Sequence, residues 1–322
     1  MLTVPKPGLF TTVQDEGRIG YRAYGMPIAG VMDHFAYTIA NILAENEPGA
    51  AVLEMTLLGG TFFFDTDAYV AVCGADMQGK LNGRRIHAWS SFHVPSKSEL
   101  IFGYALKGCR SYLAIAGGIN IMPVLGSRST YTRAAIGGYK GRALQSGDEL
   151  MIGKEVKIPE KEKVLSYRFF PHYGNEVFLR VILGPQDDFF TDAGIATFFN
   201  SIYTVTRRND RMGYMLEGPV IQHTHTADIV SDAICPGAVQ VPGNRMPIVM
   251  MADCQTTGGY PKIGTVIGPD LNKLAQAKPG DKVRFVQCSV SEAVTIVKTE
   301  QERFAEFTAK LSLLKGKNRQ GN

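Results

Sequence analysis

The chain has 322 residues, of which 45% are hydrophobic and 20% are charged, and both values are ordinary for a globular protein. This length favours two domains over one. The formal net charge of +4 is too small for the basic surface of a nucleic-acid-binding protein or of a protein held at a membrane.

Missing motifs exclude several further classes. No run approaches 18 apolar residues and MLTVPKPGLF has no apolar signal segment, so we expect neither a membrane span nor a signal peptide. Five widely spaced cysteines without a C-x-x-C pair indicate reduced thiols in a cytoplasmic protein. The sequence contains none of the motifs G-x-x-x-x-G-K-[ST], G-x-G-x-x-G after a strand, H-E-x-x-H or G-x-S-x-G. We therefore expect no nucleotide bound through a common loop.

The first candidate site lies between residues 14 and 34. Gln14, Asp15 and Arg18 precede Asp33, which stands directly before a predicted helix from His34 to Leu43. These side chains could form a binding site. They could equally belong to a solvated loop in which Asp33 caps the helix.

Short β-rich runs separated by glycine continue to about residue 290. Examples are residues 68–72, 111–116, 177–183 and 283–286. Thirty-five glycines and sixteen prolines between such runs favour barrels or sandwiches, whereas the long amphipathic helices of a Rossmann-type fold are scarce. The chain is therefore predicted to be mostly β with a few helices.

The domain organisation follows from a stretch at 157–175 that is first charged and then contains proline and glycine, which is typical of a linker. Similar turn-and-strand sequences at 144–150 and 277–283 suggest two related β domains in tandem. We divide the chain into a first subdomain at 1–156, the linker at 157–175, a second subdomain at 176–288 and a C-terminal helix and tail at 289–322.

Two arginines are candidates for anion binding. Arg128 lies among hydroxyl residues in the motif LGSRST, and Arg211 lies in DRMGY, beyond the motif GPQ that contains Gln186. Each guanidinium could hold a substrate carboxylate or phosphate. Each could also form an ion pair with an acidic residue of the protein.

The most specialised segment is ADCQTTGGYPKIGTV at 252–266, directly after an apolar run at 248–251. Asp253 ends the predicted strand, and residues 256–259 supply hydroxyls and main-chain N–H groups that could surround an anion. Tyr260 adds a flat surface and Lys262 a positive charge. A connecting turn rarely needs seven specialised residues in a row, so a binding role is predicted.

Two further features, a histidine pair and a helix start, lie in the C-terminal third of the chain. His223 and His225 alternate as a metal-binding pair on a strand would, but no third or fourth ligand is near them in sequence, and no metal is predicted. Ser289 opens a Ser-x-x-Glu capping box, so a helix is expected from there towards Leu314.

Eight motifs in order resemble a single family, the biotin-dependent carboxyltransferase family, which is also called allophanate hydrolase subunit 2 or the KipA family. The motifs are VQDEGRIGY at 13–21, GADM at 74–77 with LNG at 81–83, YLAIAGGI at 112–119, LGSRST at 125–130, GPQ at 184–186, DRMGY at 210–214, GAVQVP at 237–242 and QTTGGYP at 255–261. Within the family the chain is most similar to the C subunits of bacterial 5-oxoprolinases. It departs from the pattern at Ala233, where relatives commonly have glycine, and at Cys254, where they commonly have arginine.

This resemblance implies a fold and an activity. The fold is two tandem cyclophilin-like β-barrel subdomains plus a C-terminal helix. The activity is that of a hydrolase acting on cyclic amides, the ATP-dependent opening of 5-oxoproline to L-glutamate. The implied partners are a B subunit, which is KipI-like, and an A subunit, and ATP is used by the complex.

A lactam that carries a carboxylate needs a cation for the acid and donors for the charge that develops on the amide oxygen. Arg211 or Arg128 suits the first task, and residues 256–259 with Lys262 suit the second, while Asp253 could orient a proton donor or the lactam N–H. The predicted catalytic residues are Asp253 and Lys262. The predicted substrate-binding residues are Gln255, Thr256, Thr257, Gly258, Gly259, Tyr260, Arg211, Arg128, Gln186 and Gln240, with Gln14, Asp15, Arg18 and Asp33 as a possible second cluster.

Two other functions fit the same family. One is the carboxyltransferase component of a biotin-dependent urea or amide carboxylase. That function would need separate proteins for the Met-Lys-Met carrier site and for the biotin carboxylase, since this sequence has neither, and biotin is a cofactor only in this alternative. The other is a regulatory protein that binds a KipI-like kinase inhibitor and has no chemistry of its own.

Overall fold

The computed structural model describes residues 1–153 and 162–317, and it describes side chains as far as residue 305. Most of this part of the chain is short β-strands. We call residues 1–153 the first half, residues 162–175 the connecting segment and residues 176–288 the second half. The strands of the first half are β1 (Leu2–Lys6), β2 (Phe10–Gln14), β3 (Val52–Thr56), β4 (Thr61–Phe64), β5 (Ala68–Asp76), β6 (Lys80–Leu81), β7 (Arg84–Arg85), β8 (Ser90–Val94), β9 (Ser98–Ile101), β10 (Lys107–Ile115) and β11 (Asp148–Leu150), and β12 (Lys163–Val164) lies in the connecting segment.

The first half folds as two six-stranded sheets around one apolar core. Their strand orders are β11-β1-β4-β9-β6-β7 and β12-β8-β5-β10-β3-β2. The central strand β5 is buried on both faces, because Val70 and Val72 pack into the core between the sheets while Ala71 and Cys73 lie under a helix. Each large apolar side chain buried in this way stabilises the fold by about 1.5–3 kcal/mol.

That helix is α1 (His34–Leu43), which confirms the helix predicted over these residues. Asp33 is its N-cap, because its carboxylate accepts a hydrogen bond of 3.0 Å from the main-chain N–H of Ala36. Ile39 and Leu43 lie on the face that is buried against β5 and β10. The 3₁₀ turns of this half are Arg22–Tyr24 and Thr132–Ala134.

The second half contains a closed seven-stranded barrel of order β13-β20-β17-β18-β15-β14-β21, with β16 and β19 paired outside it. Its strands are β13 (Glu176–Leu183), β14 (Tyr203–Val205), β15 (Gly213–Glu217), β16 (Asp232–Ala233), β17 (Ala238–Gln240), β18 (Ile248–Met250), β19 (Thr257–Gly258), β20 (Lys262–Val266) and β21 (Lys282–Gln287). Its helices are α2 (Asp192–Asn200) and α3 (Gly268–Ala275), with a 3₁₀ turn at Asp187–Phe189. The prediction of a mostly β chain with a few helices is confirmed, and this half closes into a barrel as expected.

The connecting segment runs along the first half. β12 pairs with β8, and the rings of Phe170 and Tyr173 lie 5.8 and 6.5 Å from that of Trp89. A further 3₁₀ turn covers Tyr167–Phe169. Residues 154–161, which include the start of the predicted linker, lie outside the described residues, and the subdomain boundaries stay a prediction.

The C-terminal helix is α4 (Val290–Lys317), and it begins with the capping box that the sequence predicts. The main-chain N–H of Ser289 donates to the Glu292 carboxylate at 2.7 Å, and the N–H of Glu292 donates to Ser289 Oγ at 3.2 Å. Phe304 packs against Phe35 of α1. Across the described part of the chain, no helix is both long and apolar enough to span a bilayer.

A buried polar contact fixes the two halves against each other. The side-chain oxygen of Gln276 accepts hydrogen bonds from the N–H groups of Cys109 and Arg110, and its amide nitrogen donates to Asp33. The Arg110 guanidinium donates to Tyr214 Oη and to the carbonyl of Ala275, both at 2.6 Å. Since buried polar groups must find partners, these contacts define one relative placement of the two halves.

Candidate functional site

The glycine- and threonine-rich segment at 256–259 forms a turn that is hydrogen-bonded to residues 229–234. β19 pairs with β16, so that Gly258 lies opposite Asp232 and Thr257 lies opposite Ala233. The carbonyls of residues 256 and 259 accept hydrogen bonds from the N–H groups of residues 234 and 229. We call residues 253–262 the corner. Part of its main chain is therefore used within the protein.

Gly258 has no room for a side chain. A Cβ at this position would lie 2.4 Å from Ile234 Cδ1 and 3.1 Å from Gln240 Nε2. Gln240 is buried and donates to the carbonyl of Tyr260 at 3.4 Å, and the side-chain amide of Gln255 is another near neighbour of Gly258. The glycine thus allows two glutamine amides to approach the main chain of the corner.

Lys262 is buried at the end of the corner and is paired. Its ammonium donates to the Asp232 carboxylate and to the carbonyl of Ala233. Gln186 also donates to Asp232, at 2.9 Å, and accepts from the main-chain N–H of Lys262 at 3.1 Å. Hydrogen bonding from Lys262 lowers the pKa of Asp232 to about 2, so this carboxylate is ionised at neutral pH. The structure thereby brings Gln186, Gln240 and Lys262 together and adds Asp232, which the sequence did not single out as a site residue.

Asp253 and Arg211 form a buried ion pair at the contact between the halves. Arg211 Nε and Nη2 donate to the two oxygens of Asp253 at 3.1 and 2.8 Å, and its remaining nitrogen donates to Glu54 on β3. Nη2 also donates to the carbonyl of Gly30. Burial raises the pKa of Asp253, and the charge of Arg211 opposes that rise. In the structure Arg211 is therefore an ion-pair arginine, one of the two roles that its sequence allows.

Asp15 and the LGSRST motif meet in the first half. The Asp15 carboxylate accepts hydrogen bonds from the hydroxyls of Ser127 and Ser129 at 2.5 and 2.7 Å. It also accepts from the main-chain N–H groups of Gly17 and Arg128. Four donors from neutral groups surround this buried carboxylate, which fixes the loop at 125–130 against β2.

Of the other members of the second cluster, Gln14 and Arg18 contact the same loop at 125–130, whereas Asp33 has different partners. Gln14 is buried, and its amide nitrogen donates to Thr12 Oγ1 and to the carbonyl of Thr130. Asp33 caps α1, and burial raises its pKa to about 6. Arg18 is buried beside Ser129, to whose carbonyl its Nη2 donates.

The side chain of Arg128 is directed away from the corner. Its Nε donates to the carbonyl of Ile121 at 2.9 Å, and the side chain borders a cleft of about 370 Å³. Only residues of the first half line this cleft, among them Glu47, Asn120 and Gly153. The structure does not bring Arg128 and the corner into one site.

Two residues near the corner were missed in the sequence. The Arg22 guanidinium donates to the carbonyl of Ile234, next to Cys254. Burial raises the pKa of the Cys254 thiol to about 11, although Arg22 opposes this. Tyr131 lies close enough to Asp253 for that charge, together with burial, to raise its pKa. No spacing along the chain links residues 22 and 131 to 253–254, so only tertiary structure could reveal them.

The described residues hold no group of three His, Cys, Asp or Glu side chains placed to bind a metal ion. His223 Nε2 contacts the carbonyl of Val241 at 2.9 Å, and its ring packs on Phe190. His223 therefore packs within the second half.

Comparison with known proteins gives a consistent set of relatives. Residues 24–287 match the family model described as the carboxyltransferase domain, subdomain A and B. The 5-oxoprolinase C subunit of Escherichia coli (strain K12) is 38% identical over 313 residues, which are 97% of this chain and 99% of that protein. The 5-oxoprolinase C subunit of Haemophilus influenzae is 33% identical, over 88% of this chain and 90% of its own length.

Solved structures with the same fold belong to larger proteins. The crystal structure of the Kluyveromyces lactis urea amidolyase has a TM-score of 0.89 and 29% identity, and it matches 95% of this chain but only 20% of its own. The crystal structure of TTHA0988 has a TM-score of 0.79 and 32% identity, over 88% of this chain and 56% of its own. This chain therefore spans about a fifth and about half, respectively, of those two proteins.

Proposed function

This chain belongs to the carboxyltransferase family with subdomains A and B, and from that membership we propose that it is the C subunit of an ATP-dependent 5-oxoprolinase, which opens 5-oxoproline to L-glutamate together with B and A subunits. The observation that carries the proposal is the 38% identity with a 5-oxoprolinase C subunit across almost the whole of both chains. The urea amidolyase match, in contrast, covers a minor part of a longer protein.

The corner and the adjoining contact between the halves are the proposed substrate site. A lactam has one N–H donor and one carbonyl acceptor, and side-chain amides offer the complementary groups. Gln255 lies in the corner, and its Oε1 is buried without a protein partner in the described part of the chain, so it can accept from a lactam N–H. This arrangement supports recognition of a cyclic amide.

Lys262 is proposed to stabilise the negative charge that develops on the amide oxygen during ring opening. Its ammonium is buried and is held by Asp232, so its position is fixed before the substrate arrives. Asp253 is assigned a positioning role through its bidentate contact with Arg211, because that contact fixes the main chain from which the corner begins.

ATP is proposed to be used by the complex rather than by a common nucleotide loop of this chain, which has none. The B and A subunits would then supply the ATP-dependent step. Five free cysteines are consistent with a place for this complex in the cytoplasm.

The test is an assay of glutamate formed from 5-oxoproline and ATP by the chain with purified B and A subunits. We expect glutamate only with all three, and a fall of about 100-fold in kcat for Lys262→Met, the size of effect typical of one lost oxyanion donor. Lys282→Met is the matched control, since Lys282 is exposed and its ammonium donates to Thr204 Oγ1 in the neighbouring strand β14. Full activity of correctly folded Lys262→Met and Asp253→Ala would remove the assigned roles, and no glutamate from the complete set would remove the proposal.

A carboxyltransferase component of a biotin-dependent urea or amide carboxylase is the second candidate. It is favoured by the TM-score of 0.89 with the urea amidolyase over 95% of this chain. Transfer of a carboxyl group from a separate biotin-carrying protein to urea, blocked by avidin, would support this candidate and would contradict the first.

A further inference from the structure

Arg18 is a buried cation without an ionic partner. Its side chain is 0% exposed. Among the described residues, its guanidinium makes a single hydrogen bond, from Nη2 to the carbonyl of Ser129. Nε and Nη1 have no hydrogen-bond partner within residues 1–153 and 162–317. An unpaired buried charge is strongly unfavourable, so the protein is built around a cation that is only partly satisfied.

The neighbouring carboxylates of Asp15 and Asp253 make no hydrogen bond to the Arg18 guanidinium among the described residues. Asp15 accepts hydrogen bonds from two serine hydroxyls and two main-chain N–H groups, and Asp253 accepts from Nε and Nη2 of Arg211. Burial lowers the pKa of Arg18, and the charges of Asp15 and Asp253 oppose this. The charges of Asp15 and Asp253 therefore act on the Arg18 guanidinium, but neither carboxylate is hydrogen-bonded to it.

Space for this guanidinium is reserved by Gly137. A Cβ on Gly137 would lie 2.0 Å from Arg18 Nη2 and 2.3 Å from the carbonyl of Ser129, and its φ of +65° also favours glycine. Any side chain at 137 would therefore displace the arginine. The placement of Arg18 depends on a specific feature of the loop that follows Tyr131.

The segment that follows Arg18 contacts the start of the corner, because the main-chain N–H of Arg18 donates to the carbonyl of Ile28 and that of Ala29 donates to the carbonyl of Ala252. Arg22 contacts Ile234 through Nη2, but its buried Nη1 has no protein partner in the described chain. Gln255, two residues after Asp253 in the chain, also has a buried Oε1 without a partner among the described residues. Two cations from the first half and one amide from the second therefore have unused hydrogen-bonding capacity.

We propose that Arg18, assisted by Arg22, binds the carboxylate of the small organic acid whose amide lies at the corner. The inference rests on the proposed function and names the residue that recognises the acid group of the substrate. A guanidinium binds a carboxylate through parallel N–H donors, and Nε and Nη1 of Arg18 are donors without a partner among the described residues. Arg211, by contrast, has carboxylate partners within the protein.

Because Arg18 is fully buried, the proposal requires movement of neighbouring residues, and we assign this movement to the exposed segment 19–25 that follows Arg18 in the chain. This segment contains the 3₁₀ turn Arg22–Tyr24, and Ile19 and Tyr24 are 73% and 85% exposed. Few buried contacts hold it, so its opening is less costly than that of a core element. Binding of the carboxylate would bring Arg22 and Arg18 onto one anion.

Titration calorimetry of the full-length chain with two matched ligands tests the proposal. L-5-oxoproline and 2-pyrrolidinone share the lactam ring, but only the first carries a carboxylate. We expect the wild type to bind L-5-oxoproline at least 10-fold more tightly. Arg18→Gln should weaken binding of L-5-oxoproline by about 10- to 100-fold and leave 2-pyrrolidinone unchanged, as for a lost charge-assisted contact. Arg18→Lys, which keeps the charge but not the fork, should weaken it as well.

A second measurement separates this proposal from the proposed function. Sodium acetate should raise the melting temperature of the wild type more than sodium chloride of equal ionic strength does, and this difference should vanish in Arg18→Gln. That result would keep the carboxylate site even if the complete complex forms no glutamate. Should Arg18→Gln fail to fold, Arg22→Gln and the comparison of the two ligands on the wild type decide the matter. Equal affinity of the wild type for both ligands, or an equal loss of both in the variants, overturns the proposal.

Discussion

Three buried cations show how different partners change what a side chain can do. Arg211 is bonded to two carboxylates and serves the contact between the halves. Lys262 is bonded to Asp232, whose side chain is 46% exposed, so its charge remains close to solvent and to the corner. Arg18 has one carbonyl partner and retains donors for a ligand. All three cations are buried, so burial does not distinguish their roles. The number of N–H donors left without a protein partner does distinguish them.

Asp33 gives a pH dependence that can be measured. Because burial raises its pKa from 3.8 to about 6, the native state keeps a proton that the unfolded chain releases. The stability of the wild type relative to Asp33→Asn should therefore fall as the pH rises from about 4 to about 6, by on the order of 2 kcal/mol, and stay constant above that range. Urea denaturation at pH 4, 5, 6 and 7 measures the difference.

In Asp33→Asn the side-chain oxygen of asparagine can still cap α1. Loss of the contact with Gln276 would change the free energy of unfolding by the same amount at every pH. Asp232→Asn is the control, since the pKa of Asp232 is about 2 and its effect should not change over this pH window. Parallel stability curves for wild type and Asp33→Asn would show that Asp33 does not titrate there.

At the scale of elements, the connecting segment behaves as part of the first half. β12 adds a strand beside β8, and Leu165 is buried with residues of α1. The rings of Phe170 and Tyr173 pack on Trp89, which also contacts Phe35 of α1. Apolar burial therefore holds residues 162–173 against the first half.

This packing can be followed by fluorescence because Trp89 is the single tryptophan of the chain. Phe170→Ala should expose Trp89, which is 4% exposed in the wild type, and shift its emission to longer wavelength. We also expect a loss of about 1–3 kcal/mol in the free energy of unfolding, since Phe170 is partly buried. Tyr104→Ala, at a position 67% exposed, should change neither quantity. An unchanged emission spectrum in Phe170→Ala would contradict the described packing.

The whole molecule is held as one unit by polar contacts between a two-sheet half and a barrel half. Arg110, Gln276 and Asp33 form one part of this contact, and Arg211 with Glu54 and Asp253 forms the other. Because these groups are buried, separating the halves would expose or orphan charges, and the halves should unfold together. The proposed substrate site lies at this contact, which explains why neither half would be sufficient for it.

Arg211→Met tests the coupling of the halves. It leaves Glu54 and Asp253 buried without their cation, so we expect a loss of about 3–5 kcal/mol and a broader or divided thermal transition in place of a single one. Arg85→Met is the matched control, because the pair of Arg85 and Asp76 is exposed and should contribute less than about 1 kcal/mol. Calorimetric unfolding distinguishes the two, and a wild-type-like transition for Arg211→Met would argue against the coupling.

Local sequence determined several features of this protein by itself. The cap at Asp33 and the box at Ser289 specify helix starts through contacts within three residues, and the glycine-punctuated β-runs specify a mostly β chain. The specialised residues of the corner also marked a segment with little freedom to vary, as the tight contacts around Gly258 show. The helix starts depend on neighbours along the chain, so pattern and spacing are sufficient to find them, whereas the contacts that restrict Gly258 come from Ile234 and Gln240.

Only the tertiary structure decided which distant groups meet. Arg211 is 157 residues from Glu54, Arg18 is 111 residues from Ser129, and Lys262 is 30 residues from Asp232. The periodicity of the sequence does not indicate such partners. A charged residue has the same one-letter code whether its side chain will bind a carboxylate, a carbonyl or a ligand. The packing of the two halves against each other paired Arg211 with Glu54, whereas the fold of the first half placed Arg128 at another cleft and left donors without a protein partner on Arg18.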